Sequence, residues 1–235
     1  TWVEPVATPV AGSNIYKQKG TAYGYVGRVA AGTLSFVDDN ITPDMTLAPP
    51  EAADPFVATG DFPTAVTYAQ QRRCFGGSDN RPHNIWMSRS ATDGNFSQSV
   101  PLRDDDAIIF GIKGVRQSRV QHLVPLEDLI ALTAGGVYVI RAADGYVLTP
   151  STVDPRPQSR VACADVKPAH AENACLYSQL YGGHIREVLF ASDSSGRAGY
   201  SNNDVSLLAP HLFDGYSIVS MTFAEDSTLP SLWVV

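Results

Sequence analysis

Asp104-Asp105-Asp106 is the densest run of carboxylates in the chain. Paired carboxylates can move protons or hold calcium. Calcium loops, however, alternate their ligands with other residues, and consecutive side chains on an extended backbone point to opposite sides. The triplet therefore reads as a solvated turn ahead of an apolar strand at 107–110. Asp38, Asp39, Asn40 and Asp44 invite the same comparison. They lack the glycine and the closing glutamate of the known calcium loop, so a turn is again expected. Cys163, His170 and Cys175 offer softer ligands. Their gaps of six and four residues match no C-x-x-C pattern, and no fourth ligand is evident.

The five histidines, His83, His122, His170, His184 and His211, fall in separate strands or loops, and nothing in their spacing joins them to a partner. No G-x-S-x-G occurs, and Ser194-Ser195-Gly196 lies in a polar run that reads as an exposed loop. Neither a P-loop nor a G-x-G-x-x-G is present. Arg72, Arg73, Arg89, Arg116 and Arg119 are interleaved with Tyr68, Phe75, Trp86 and Phe96. Such interleaving can serve nucleic acid. It also follows from strands with aromatic residues facing inward and arginines outward, which is the preferred reading. No catalytic, cofactor-binding or metal-binding residue is predicted, and the chain is not expected to be an enzyme.

The elements that would have to position any site are strands. Over 235 residues, 44% are hydrophobic but only 17% charged, with 19 glycines and 16 prolines spread throughout. That composition suits many short strands and turns better than long solvated helices. The net charge of -7 disfavours a phosphate-gripping surface. No apolar run approaches the roughly 18–20 residues of a helical membrane span. The three cysteines read as reduced, buried thiols.

Residues 1–44 read as short strands at 2–3, 13–17, 22–29 and 33–37, separated by glycines and the Asp38-Asp39-Asn40 cluster. This is the grammar of a β-sandwich, but a sandwich needs about seven strands. An incomplete fibronectin type III or immunoglobulin-like domain is expected over 1–56, with its first strands before Thr1. Residues 43–63 carry Pro43, Pro49, Pro50, Pro55 and Pro63 and read as a connector, since proline removes donors and fixes φ. From Thr64 onward a weak repeat appears. Gly135-Gly136 and Gly182-Gly183 each sit between apolar strands and lie 47 residues apart. Similar pairs bracket Gly76-Gly77 and the region near Asp226. Hairpins recurring every ~40–50 residues signal a β-propeller of four-stranded blades, expected over 57–235 and continuing past Val235.

The stretch 68–96, YAQQRRCFGGSDNRPHNIWMSRSATDGNF, resembles a motif of bacteriophage structural proteins. Downstream, PLRDDDAI (101–108), HLVPLEDLIALTAGGVYVI (122–140), DGYVLTP (144–150) and NDVSLLAPHLF (203–213) are similar to the same family in the same order. Upstream, NIYKQKGTAYGYVGRV and SFVDDNITPD resemble its fibronectin type III-like insert. The family is that of phage tail nozzle or hub proteins, the tail tubular protein B-like proteins of short-tailed phages and prophages. The resemblance implies a structural virion component without catalysis, assembled in the bacterial cytoplasm. Its partners would be copies of itself in a ring, commonly a hexamer, and other tail or adaptor proteins. DNA would pass through the ring without sequence-specific binding. Two rival readings are a carbohydrate-binding or carbohydrate-cleaving propeller and a host-adhesion module built on the sandwich. The former would need carboxylates about 5–10 Å apart gathered from several blades, whereas Asp104, Asp105, Asp106 and Trp86 are local in sequence.

Overall fold

The computed structural model describes residues 12–51, 54–114, 118–143, 145, 147–171, 173–192, 198–225 and 231–235. The strand expected at 2–3, Arg116 and the Ser194-Ser195-Gly196 run lie outside the described residues, as does the turn near Asp226. The fold is all-β, built of small antiparallel sheets. Two short 3-10 turns, Ser206–Leu208 and Pro210–Leu212, are the helical segments among the described residues. No helix among them is long and apolar enough to cross a membrane.

Strands β1 (Ser13–Lys19) and β2 (Ala22–Val29) form a hairpin with a bulge at Ile15/Tyr16. Strand β3 (Ala48–Glu51) follows. Next come β4 (Ala65–Ala69), β5 (Arg72–Gly76) and β6 (Asn84–Met87). Strand β7 (Gln98–Val100) pairs with β3, and β8 (Ile108–Gly111) returns to complete a first sheet ordered β4-β5-β6-β8. A second sheet runs in sequence through β9 (Val120–Pro125), β10 (Leu129–Thr133), β11 (Gly136–Ala142) and β12 (Val153–Ser159). A third does the same through β13 (Ala169–Ala171), β14 (Ala174–Ser178), β15 (Ile185–Ser192) and β16 (Ala198–Asp204). A last ribbon pairs β17 (Met221–Ala224) with β18 (Ser231–Val234).

The second sheet shows why the sheets stack. Successive strand residues face opposite sides, and every residue of β10 is buried. Leu129 and Ala131 pack with Cys74, Ile85, Met87 and Ile108 of the first sheet. Ile130 and Leu132, on the other face, pack with Cys175, Tyr177, Ile185 and Val188 of the third. Strand β11 divides the same way, with Tyr138 and Ile140 toward the first sheet and Val137 and Val139 toward the third. Leading strands also neighbour one another, β4 beside β9 and β13 beside β17. Met221 of β17 joins the third sheet's core, with Phe223, Leu232 and Val234 packed against it.

The far face of the first sheet has a different cover. Phe75, Trp86 and Ile109 lie in register across β5, β6 and β8, and they meet Phe96 and Phe56. Phe56 stands edge-on to Phe75, Trp86 and Phe96, with ring centroids 5.0, 5.5 and 5.5 Å away. Edge-to-face contact of this kind adds to the area term. The connector's own aromatic residue thus seals this sheet.

Several expectations need correction. Residues 33–37 form no strand; Leu34 and Val37 are exposed, so no buried face fixes a pairing there. The connector does pair, through β3, but only at Ala48 and Glu51. Pro49 and Pro50, which have no N–H to donate, occupy the gap. All three glycine-pair hairpins join the second and third strands of a sheet, yet their turns differ. The β10–β11 turn is Ala134-Gly135, with Gly136 already paired to Thr133. Gly182 and Gly183 sit in a six-residue loop, 179–184, both at positive φ. The two-residue turn with positive φ at both positions is Gln70-Gln71, whose residues have φ 47° and 59°, the left-handed pair a type I′ hairpin requires.

Ile130→Ala should cost about 2–5 kcal/mol, because a side chain enclosed between two sheets leaves a cavity that cannot collapse. Val66→Ala, at an exposed site on β4, should change stability by less than about 0.5 kcal/mol. Urea midpoints at unchanged slope measure both, and equal effects would overturn the stacked-sheet account.

Candidate functional site

The densest polar cluster is built from three segments of the first sheet. Arg72 opens β5 on the same face as Cys74, so strand alternation sends it inward, and it is 1% exposed. Its Nη1 donates to the carbonyls of Ser88 at 2.8 Å and Asp106 at 2.6 Å, and its Nη2 to that of Asp104 at 2.8 Å. The guanidinium fork suits several divergent carbonyl acceptors at once. Burial lowers the Arg72 pKa from its ordinary value, and nearby Asp105 opposes that shift.

Asp106 answers from the turn that Arg72 grips. Its side chain is fully buried. It accepts the backbone N–H of Ser99 at 2.8 Å, the Ser99 hydroxyl at 2.9 Å and the N–H of Arg103 at 2.9 Å. Arg89 Nη2 lies 3.1 Å from Asp106 and 2.6 Å from Asp105. Burial pushes the Asp106 pKa up, but the bonds from Arg103 and Ser99, with Arg89 beside it, bring it below 3.8. The solvated turn expected at 104–106 is corrected in this respect: its last carboxylate is the buried organiser of the loop. The outward placement expected for the arginines is likewise corrected for Arg72.

Of the other arginines singled out in the sequence, Arg73 and Arg119 are paired too. Arg73 lies 3.0 Å from Asp93 and donates to the Tyr68 hydroxyl at 2.9 Å, and Arg119 lies 2.9 Å from Asp79. Phe75, Trp86 and Phe96 lie in the inward aromatic cluster, whereas Tyr68 is exposed. Asp38 pairs with Lys17 at 2.8 Å and accepts the Ile41 N–H at 3.0 Å. Asp44 accepts both the N–H and the hydroxyl of Thr46. These are turn-forming bonds of the Asx kind.

Cys163 and Cys175 are buried free thiols in one core, whereas His170 is exposed. Among the described residues, no three His, Cys, Asp or Glu side chains gather to hold a metal. Burial pushes the thiols of Cys74 and Cys175 up to about 12 and that of Cys163 further, which keeps them protonated and unreactive.

Two groupings escaped the sequence reading. His122 and His170 border one cavity of about 280 Å³ beside β4 and β9, with Lys167. Burial lowers the His122 pKa. His184, Asp204 and Ser206 meet at the end of the third sheet. The Ser206 hydroxyl lies 2.9 Å from His184 Nδ1 and donates to Asp204 at 2.7 Å, while Asp204 is 3.5 Å from the same Nδ1. A nucleophilic triad places its histidine between serine and carboxylate, using both ring nitrogens. Here serine and carboxylate share one nitrogen. The Ser206 oxygen also accepts the Ile185 N–H at 3.3 Å. The group ties the start of β15 to the 3-10 turn after β16, and no sequence motif marks it because its members come from separate segments.

Comparison with known proteins returns no matching family model and no matching curated protein.

Arg72→Met should cost about 3 kcal/mol or more, since three carbonyls lose their donor. The Asp106 pKa is depressed on folding, so its contribution is complete above the unfolded value and is lost as pH falls below about 4. Asp106→Asn should therefore destabilise the protein at pH 7 and flatten the acid limb of its stability profile; an unchanged acid limb would contradict the assignment. Native protein should leave all three thiols unmodified by iodoacetamide at pH 8, with all three reacting in denaturant, as read by intact mass.

Proposed function

We propose that the chain is a structural component of a bacteriophage tail, of the nozzle or hub kind, and that its four-stranded sheets are propeller blades. The observation that carries the reading is the repeat itself. Three successive antiparallel meanders stack face to face, and a ribbon in the position of a fourth begins beside the third. Leading strand beside leading strand, as in β4 with β9 and β13 with β17, is how blades approach a common axis. The hairpin and connector at residues 12–51 correspond in this reading to part of an inserted fibronectin type III-like sandwich.

The quoted motifs also support it through what their residues do. Arg72, Ser88, Arg89 and Asp104–Asp106 come from two of the segments that resemble tail proteins, and they lock one loop to one sheet. That suits a component selected for rigid shape rather than for catalysis. Exposed apolar side chains at Leu207, Leu208, Leu212, Tyr216 and Val219 supply contact surface for copies of the chain or neighbouring tail proteins. In a ring, the paired arginines and net charge of -7 leave passing DNA without a strong counterion-release grip.

Peptide mass spectrometry of DNase-treated, density-purified particles from the strain encoding the chain tests the proposal. Peptides from 74–89 and 120–141 should be enriched over lysate at a constant ratio of a few copies to many of the capsid protein. Clear presence in the lysate with absence from intact particles would reject a virion role.

A further inference from the structure

A cavity of about 610 Å³ lies between residues 113–114, which follow β8, and the two last strands of the second sheet. That volume falls within the range of small-molecule sites, about 300–1,000 Å³. Its walls combine a ring platform with unpaired positive charge.

The platform comes from strand register. Tyr138 on β11 and Pro157 on β12 are cross-strand partners, so their rings share one face of the sheet. Gly114 closes over this face, and its lack of a side chain matters: a Cβ there would collide with the Tyr138 hydroxyl. Tyr138 is only 7% exposed, yet its hydroxyl makes no hydrogen bond among the described residues.

The charge comes from Lys113 and Arg160, which line the same cavity. Neither side chain makes an ion pair or hydrogen bond among the described residues, which is also true of those of Lys19, Arg81, Arg103 and Lys167; Lys113 and Arg160 are set apart by lining one cavity together. No carboxylate is among the described residues that line it. In a chain of net charge -7, two such cations beside an aromatic and a proline ring form a locally positive recess. Guanidinium and ammonium groups recognise carboxylate or phosphate through charge-assisted hydrogen bonds.

We propose that this cavity binds a small ring-bearing acid. The ring lies against Tyr138 and Pro157, the carboxylate or phosphate sits between Lys113 and Arg160, and the Tyr138 hydroxyl bonds a polar group of the ring. An acidic saccharide and a nucleotide both carry this chemistry. The inference stands on the cavity alone and is independent of the virion role.

Calorimetric titration of the full chain with glucuronic acid, adenosine monophosphate, glucose, adenosine and inorganic phosphate tests it. At least one of the two ring acids should bind saturably, and about tenfold or more tighter than its neutral counterpart and than phosphate. Which one binds identifies the source, saccharide or nucleotide. Lys113→Ala with Arg160→Ala should weaken binding about tenfold or more, whereas Lys19→Ala with Lys167→Ala, an equal loss of charge elsewhere, should leave it within about twofold. In the unaltered protein, the binding acid should slow acetylation of Lys113 but not of Lys19, a readout that does not depend on any variant folding. Absence of saturable binding up to about 10 mM, phosphate binding as tightly as the ring acids, equal losses in the two double variants, or unprotected Lys113 would each overturn the proposal.

Discussion

Burial of the second sheet on both faces is the constraint from which the rest of the fold follows. A strand with one wet face can be satisfied by a single layer, but β10 has no wet face. Its odd and even residues demand different apolar partners, supplied by the first and third sheets. Fully burying each Leu or Ile side chain contributes about 1.5–3 kcal/mol, so the stack is held by many equivalent contacts rather than by one anchor. Polar groups inside such a stack must bond locally. Thr133, buried at the end of β10, accordingly donates to the carbonyl of Gly136 at 2.7 Å.

A stack of twisted sheets has two ends, and the chain treats them differently. At the first sheet, the outer face is closed by Phe56 from the connector and Phe96 from the loop between β6 and β7. A loop that long would ordinarily drift, because ordering it costs backbone entropy of about 1–2 kcal/mol per residue. Arg72 and Asp106 offset that cost by holding the loop's return from opposite sides, one through carbonyls and the other through N–H groups. The buried charges are therefore part of how an apolar face is covered. At the third sheet the cover is the β17–β18 ribbon, which leaves Trp233 and Val235 exposed.

The strand content, the strands at 13–17 and 22–29, and the hairpins joining second to third strands were legible because alternation and turn residues are local signals. The fate of 33–37 was not, because alternation states what a strand could bury but not whether a partner face exists. Arg72 was legible in principle: it shares strand parity with Cys74, and inward parity for an arginine implies buried acceptors. Asp106 was not, since three identical neighbours give no sign of which one turns inward. The His184–Asp204–Ser206 group is set by the pairing of β15 with β16, a contact that residue spacing alone does not encode.

The same parity argument bears on how charge is distributed. Inside a stack of sheets a long cationic side chain is tolerated only where carbonyls or carboxylates surround it, as around Arg72, whereas Arg141 pairs with Asp128 at 2.9 Å while still partly exposed. Elsewhere cations must sit at strand ends and loops, where they can pair cheaply with nearby acids, as Arg119 does with Asp79. With 24 acidic against 17 basic residues, most such cations find a partner. Among the described residues Lys19, Arg81, Arg103, Lys113, Arg160 and Lys167 have no side-chain ion pair or hydrogen bond, and of these Lys113 and Arg160 line one cavity. Their isolation follows from position: glycine backbone, proline and tyrosine occupy the surfaces beside them, and none of these can neutralise a charge. Two cations without an acid partner among the described residues, gathered beside one buried tyrosine ring, stand where a ligand can complete the pairing.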